Sequence, residues 1–251
     1  MKGMILWWLA ACLPGAVLAG GITGQRFDCL LEPNEEVALG GESPGLIAAV
    51  TVDRGARVKK GQVLVRLADG LERAALKRAQ QRIAHGRRRL RRNRELIELK
   101  MVSQEERDAI EMDIRDAEAD AAEARERLRL RVLRSPIDGV VIERNVGPGE
   151  RLGQDPALRL ASLDPLHVEV ILSAEYFGQV RPGQTGRVHP AAPVGGDYPA
   201  KVTVVDPVID PGSGTFRVRL SLPNPGNRLP AGLRCQVAFE SPERGGVSER
   251  Q

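Results

Sequence analysis

The residue types suited to chemistry in this 251-residue chain are three histidines, three cysteines and a dense run of carboxylates. His85, His167 and His189 lie in separate stretches with no cysteine or carboxylate at the short spacings that hold zinc, so no metal site is expected. No nucleophile elbow, phosphate-binding glycine loop or zinc-hydrolase helix is read in the sequence. Residues 104–131 hold ten Asp and Glu, which at that density serve as solvated and ion-pairing charges rather than as an acid–base pair. Aromatic residues make up 3% of the chain, too few to line a ligand pocket, and no cofactor is expected. A carbohydrate- or peptidoglycan-acting enzyme with β domains would need a catalytic constellation that is not found, and the expectation is a protein that is not an enzyme.

The arginine run Arg87-Arg88-Arg89-Leu90-Arg91-Arg92-Asn93-Arg94 admits two readings, an RNA or membrane patch and a solvated helix flank. Its neighbourhood favours the flank. Residues 71–131 contain no proline and are dense in Ala, Leu, Glu and Arg, the composition of helix. Leu76, Ala79, Ile83, Gly86, Leu90, Asn93 and Ile97 step alternately by three and four, as do Ile110, Ile114, Ala117, Ala121, Ala124 and Leu128. Between them Ser103-Gln104-Glu105-Glu106 reads as a capping box that starts a second helix. The first helix carries eleven Lys and Arg against three Glu, and the second ten acids against six Arg, so flanking charges can pair across an antiparallel coiled-coil hairpin.

The hairpin interrupts a repeat. Ser43-Pro44-Gly45 through Gly55 to Gly61-Gln62 recurs as Ser135-Pro136-Ile137 through Gly147 to Gly153-Gln154, and Leu64-Val65-Arg66-Leu67 is answered by Ala157-Leu158-Arg159-Leu160. Each copy reads as strand, turn, strand, with Gly55, Gly61, Gly139 and Gly147 expected at positive φ. Units this small cannot each bury a core, so the two must pack as one sandwich whose halves are separated in sequence. After Leu166 the alternation is that of a small antiparallel barrel, to which Arg26–Leu39 adds a first strand.

At the N-terminus Lys2, the apolar run Met4–Leu13 and Val17-Leu18-Ala19 read as a secretory signal cleaved after Ala19. The run is shorter than the roughly 20 residues that span a bilayer. Leu9-Ala10-Ala11-Cys12 offers a second reading, a lipoprotein box with Cys12 as the lipidated residue. The net charge of +4 is compatible with nucleic acid, but an exported protein meets none, and no nucleic-acid partner is expected. Export also bears on Cys29 and Cys235. Alternation places both on apolar strand faces directed into the barrel, where they form either a disulfide, if the first and last strands are neighbours, or two buried thiols.

A split sandwich around a heptad hairpin with a barrel behind it resembles the membrane fusion, or periplasmic adaptor, proteins. The likeness is carried by Asp53-Arg54-Gly55-Ala56-Arg57-Val58-Lys59-Lys60-Gly61-Gln62-Val63-Leu64 and by Arg134-Ser135-Pro136-Ile137-Asp138-Gly139-Val140-Val141. Asp164-Pro165-Leu166-His167-Val168, Gly214-Thr215-Phe216-Arg217-Val218-Arg219 and Leu229-Pro230-Ala231-Gly232-Leu233 follow in the family's order. The resemblance implies an elongated mixed α+β chain: signal peptide 1–19, N-terminal barrel strand 20–39, lipoyl-like half 40–68, helical hairpin 69–132, second half 133–163, barrel 164–240 and disordered tail 241–251.

It also implies a function. Such adaptors join an inner-membrane transporter to a TolC-type outer-membrane channel, assemble as rings, six-membered in this expectation, and work in the periplasm against the inner membrane. The family's channel-docking spacing R-x3-L-x6-S is matched by Arg92, Leu96 and Ser103, though Ser103 also has its capping role. Only Met101 and Met112 follow the signal, so the methionine relay of a copper or silver adaptor is not expected. No membrane-proximal domain is read after the barrel and no membrane helix at the start. The second absence favours a pump of the resistance-nodulation-division type, with an ABC or type I secretion exporter as the alternative.

Overall fold

The computed structural model describes residues 21–22, 24–94, 101 and 103–240. The expected signal peptide, Cys12, Leu96, Ile97 and the tail lie outside the described residues. Two compact units are formed, each from discontinuous stretches.

The larger unit comprises Glu32–His167 and Pro223–Gly232. Its first four-stranded sheet runs β5-β4-β2-β7, from β2 (Gly45–Val50), β4 (Val63–Leu67), β5 (Val132–Arg134) and β7 (Arg151–Leu152). The second places β3 (Arg57–Val58), β6 (Gly139–Arg144) and the start of β8 (Leu158–Ser173) side by side. The end of β1 (Arg26–Leu39) flanks them, through a bond from the Ala157 amide to the Leu39 carbonyl at 2.8 Å. The repeat explains this arrangement. Within each copy the two longer strands pair, β2 with β4 and β6 with β8. Between copies the short strands are exchanged, Gly45 opposite Leu152 and Arg57 opposite Val140. Neither copy is complete without the other. Their shared core is aliphatic, with Ile47, Leu64, Val65, Leu152, Leu158 and Leu160 at 0–1% exposure.

The turn glycines differ in part from expectation. Gly55 and Gly61 have φ of 84° and 83°, whereas in the second copy Gly149, at 87°, takes the left-handed position, not Gly147. Gly139 is required by proximity instead, because a Cβ there would lie 2.3 Å from the Ala161 carbonyl oxygen of the neighbouring strand.

Between β4 and β5 rise α1 (Gly70–Arg92) and α2 (Gln104–Arg129). At 1.5 Å per residue they are about 35 and 39 Å long. They run in opposite directions side by side, for Arg82 reaches Asp120, Arg87 reaches Glu118 and Arg131 reaches Glu72. Ala79, Gly86, Ile110, Ala117, Ala121 and Ala124 are buried between them. Small side chains allow the close approach: a Cβ on Gly86 would sit 2.6 Å from Cγ1 of Ile114.

The smaller unit comprises the described residues up to Leu31, Val168–Leu222 and Leu233 onward. Strand order is β1-β12-β9-β10-β11-β8, and β8 returns to β1, so the sheet closes into a barrel. The added strands are β9 (Thr185–Pro190), β10 (Tyr198–Val205), β11 (Thr215–Leu222) and β12 (Arg234–Phe239). Burial alternates as a half-solvated sheet demands, with Phe216, Val218, Leu220 and Leu222 inside on β11. Gly186 leaves room for Leu220, whose Cδ2 a Cβ would meet at 2.8 Å.

Strands β1 and β8, 14 and 16 residues long, are each shared by both units, so the divisions fall inside them, after Leu31 and after His167. Of β1, the residues up to Leu31 belong to the smaller unit. Pro223–Gly232 belongs with the sandwich rather than with the barrel. The buried Asn224 fixes that loop: its backbone amide donates to Asp164, its side-chain amide donates to the carbonyls of Leu163 and Leu229, and its Oδ1 accepts from Leu229.

Candidate functional site

The distal end of the helix pair holds two of the three expected docking residues. Arg92 is the exposed last residue of α1. Ser103 caps α2 with φ −66° and ψ 150°, and its Oγ accepts from the Glu106 amide at 3.1 Å. Glu106 does not close a reciprocal box, since its carboxylate accepts from Arg89 at 3.2 Å across the pair. Leu96, between them in sequence, lies outside the described residues.

One flank of the pair is strongly basic. A groove of about 640 Å³ is floored by Ile83, Ala84 and Ala121 and rimmed by Arg87, Arg88, Arg91 and Arg125, against a single acid, Glu118. The arginine run is thus partly paired and partly open. Arg87 and Arg89 are bound to α2, while Arg88, Arg91 and Arg92 have no ion pair among the described residues.

The root of the pair is built differently, and the residues there were not singled out from sequence. The Nε and a terminal nitrogen of Arg131 donate to one carboxylate oxygen of Glu72 at 3.0 and 2.6 Å, and its other terminal nitrogen donates to the Pro44 carbonyl at 2.8 Å. The two side chains are 20% and 11% exposed, against roughly half for the pairs higher up. One guanidinium ties the foot of α1, the end of α2 and the strand that follows Pro44. Gly45 makes this possible, because a Cβ there would lie 2.7 Å from the guanidinium. In sequence Arg131 is one of six arginines of its segment, and nothing in its spacing marks it as buried.

In the barrel Cys29 stands directly opposite Cys235, both buried, and their sulfurs are joined in a disulfide. Outside it Leu30 and Ile171 are exposed beside Asp28, Glu169 and Arg234, around a groove of about 570 Å³.

Enzymatic arrangements can be tested locally. Gly41-Glu42-Ser43-Pro44-Gly45 spells G-x-S-x-G, but a strand follows it rather than the helix that a nucleophile elbow requires. His189 is hydrogen-bonded to Asp197 at 3.2 Å on an exposed surface. Among the described residues no three His, Cys, Asp or Glu side chains gather as a metal site, and no helix is long and apolar enough to cross a membrane.

Comparison with known proteins agrees with this architecture piece by piece. Residues 37–161 match the family description "CzcB-like, barrel-sandwich hybrid domain", and residues 166–243 match "CusB-like, beta-barrel domain". The chain belongs to the membrane fusion protein family, on its resistance-nodulation-division branch. This is a family of structural adaptors rather than enzymes. The chain is 27% identical over 199 residues to the cobalt-zinc-cadmium resistance protein CzcB of Cupriavidus metallidurans, covering 72% of this chain and 38% of CzcB. It is 28% identical over 205 residues to the solvent efflux pump periplasmic linker SrpA of Pseudomonas putida, covering 75% of this chain and 54% of SrpA. It spans about half the length, or less, of the curated relatives it matches. In fold it is similar to a MacA-MexA chimera that contains the Pseudomonas aeruginosa MexA α-hairpin domain, with a TM-score of 0.71 at 23% identity over 87% of this chain and 81% of the chimera.

Proposed function

We propose that this chain is the periplasmic adaptor of a tripartite efflux system, bridging an inner-membrane pump of the resistance-nodulation-division type and a TolC-type outer-membrane channel. The observation that carries the reading is a helix pair rooted in a duplicated sandwich, within a chain whose two halves match adaptor domains. On this reading α1 and α2 are a coiled-coil hairpin, residues 69–132 in all, whose distal end meets the channel. Arg92 binds carbonyls or carboxylates there, Leu96 packs into a groove between channel helices, and Ser103 adds a hydroxyl beyond its cap. The chain reaches the periplasm by its signal segment and assembles as a ring around the conduit. Cargo is chosen by the pump.

The test is complementation of an adaptor-deficient strain together with recovery of the pump and channel that co-purify with the chain. Wild type is expected to restore efflux and bring down both partners, and Leu96→Asp to lose channel cross-linking with an unchanged melting curve. Full efflux by Leu96→Asp would overturn the docking residues. Recovery of an ABC exporter instead would overturn the pump assignment.

A further inference from the structure

One end of the barrel gathers large apolar side chains in water. The registers Arg26↔Ala238, Phe239↔Gly186, Lys201↔Thr185 and Val205↔Val218 bring together there the start of β1, the end of β12, the start of β9, the end of β10 and the start of β11. The end of β8 joins them, because the Ala174 amide that follows it donates to the Gly214 carbonyl at 2.9 Å. Two loops lie at this end, residues 174–184 between β8 and β9 and residues 206–214 between β10 and β11. They expose Phe177 at 46%, Val208 at 72% and Ile209 at 36%. Phe177 is braced from within, its ring edge-on to that of the buried Phe216 at 5.3 Å. Ile209 precedes Asp210, which is bridged to Thr215 at the start of β11.

The charges around these side chains are sorted. Asp206 pairs with Arg217, Glu240 pairs with Arg187, and the Asp210 carboxylate accepts from the Gly212 and Ser213 amides. Exposed Arg26 and Arg181 make no ion pair among the described residues, against one such acid, Glu175. The ends of the chain attach here as well. The amide of buried Ile22 donates to Oε1 of Gln179 at 3.1 Å, and the Tyr176 hydroxyl donates to Gln25. The N-terminal residues therefore join the barrel beside the β8–β9 loop, and residues 241–251 join it at the end of β12. Neither stretch supplies a cover for the patch: 241–251 hold one aliphatic side chain, Val247, and the leader is removed after Ala19 on the export reading. Until that removal, residues 14–20 alone separate the apolar run Met4–Leu13 from Gly21, a reach of about 30 Å at most. The first surface within reach of this end is a bilayer.

We propose that this end of the barrel docks directly on a lipid surface, with Phe177, Val208 and Ile209 entering the boundary between headgroups and acyl chains while Arg26 and Arg181 meet acidic headgroups. Only the side chains enter, since irregular backbone is excluded from hydrocarbon and stays with the headgroups and water. Binding scales with the apolar area buried plus the attraction to anionic lipid, so three side chains and two arginines give a weak, reversible contact in one copy. Copies held in a ring present the site repeatedly and bind with greater avidity. The inference goes beyond the adaptor reading, from which it takes export to the periplasm and the ring.

The test uses the exported chain beginning at Gly20, which has no tryptophan because Trp7 and Trp8 leave with the leader. Val208→Trp then places a single reporter at the docking site, and Met112→Trp places one at an exposed position of α2 as a control. With vesicles of phosphatidylethanolamine and phosphatidylglycerol, the emission of Val208→Trp is expected to shift to the blue and to be quenched by brominated acyl chains, while Met112→Trp does neither. Adding Ile209→Asp to the Val208→Trp chain should lower vesicle affinity about tenfold with an unchanged melting curve, and Phe177→Ser should act in the same direction. Arg26→Glu with Arg181→Glu should remove the preference for phosphatidylglycerol over phosphatidylcholine vesicles, as should molar salt. No vesicle-dependent shift at Val208→Trp, an equal shift at Met112→Trp, or unchanged affinity in the Ile209→Asp chain would each overturn the proposal. A shift produced by the co-purified pump and not by vesicles would assign the patch to a protein partner and overturn it too. Wild type that fails to restore efflux in cells overturns the adaptor reading and leaves the vesicle result untouched.

Discussion

The helix pair and the sandwich that carries it are stabilised in opposite ways. Between the helices the buried side chains are mostly alanines and a glycine, and the ion pairs beside them, such as Arg82 with Asp120, are about half exposed. Such pairs contribute little, about 0–1 kcal/mol each. The sandwich buries whole leucines, isoleucines and valines from both copies of the repeat. A fully buried side chain of that size is worth roughly 1.5–3 kcal/mol. The difference teaches that the stability of this chain resides in its β units, while the helices spend their sequence on surface. They are held in place chiefly at the root.

Substitutions can break that contrast or sharpen it. The largest loss is expected from the barrel disulfide, which closes a loop of 206 residues. On the chain-entropy model its removal in a Cys29→Ala, Cys235→Ala chain costs up to about 5 kcal/mol, read as a drop in denaturation midpoint that reductant reproduces in wild type. Next comes Leu64→Ala in the sandwich core, at about 3 kcal/mol by urea denaturation. At the root, Arg131→Met leaves Glu72 nearly buried without its partner and should cost about 2–3 kcal/mol, most of it regained when Glu72→Leu is added. The Arg82–Asp120 cycle should show a coupling below about 1 kcal/mol, and an equal coupling at both places would erase the distinction between root and flank. Between the helices Gly86→Ala would ordinarily gain stability, but the contact with Ile114 reverses the sign, for a net loss of about 1 kcal/mol in thermal melts.

The smallest effect is expected at Asp53. Hydrogen bonds from Arg144 and from the Arg54 amide hold its carboxyl below the usual range. A depressed carboxyl pKa contributes stability above its unfolded value, and that contribution is lost as pH falls through the folded value. Wild type should therefore lose slightly more stability than Asp53→Asn on acidification below the ordinary carboxylate range. Parallel acid profiles for the two proteins would show the pair to be inert.

What could be read from sequence was whatever repeats. Heptad steps selected Ala79, Gly86, Ile110 and Ala117, which are buried, and the duplicated Ser-Pro and Gly-Gln phrases marked two copies that do share one core. Alternation placed Cys29 and Cys235 on inward faces because a strand has only two sides. Features that depend on where an element crosses another were not legible. Nothing in Arg26–Leu39 announces that it changes partners after Leu31, and nothing in Arg131 distinguishes it from its exposed neighbours. The need for Gly139 likewise comes from a strand that lies beside it only after folding.

The exchange of short strands between the copies has a consequence for how this architecture can change over generations. Gly45 must find Leu152 and Arg57 must find Val140, so every helical residue is a detour that the sandwich has to span. The entropy of closing such a detour rises by only about 0.6 kcal/mol for each doubling of its length. A returning helix pair adds little strain of its own, provided that its two feet come back together, as Glu72 and Arg131 do. Insertion or deletion of one heptad in each helix therefore shifts the reach of the pair by about 10 Å while leaving the feet in register. Reach and foundation are separate heritable traits in this chain, and selection can lengthen the one without touching the other.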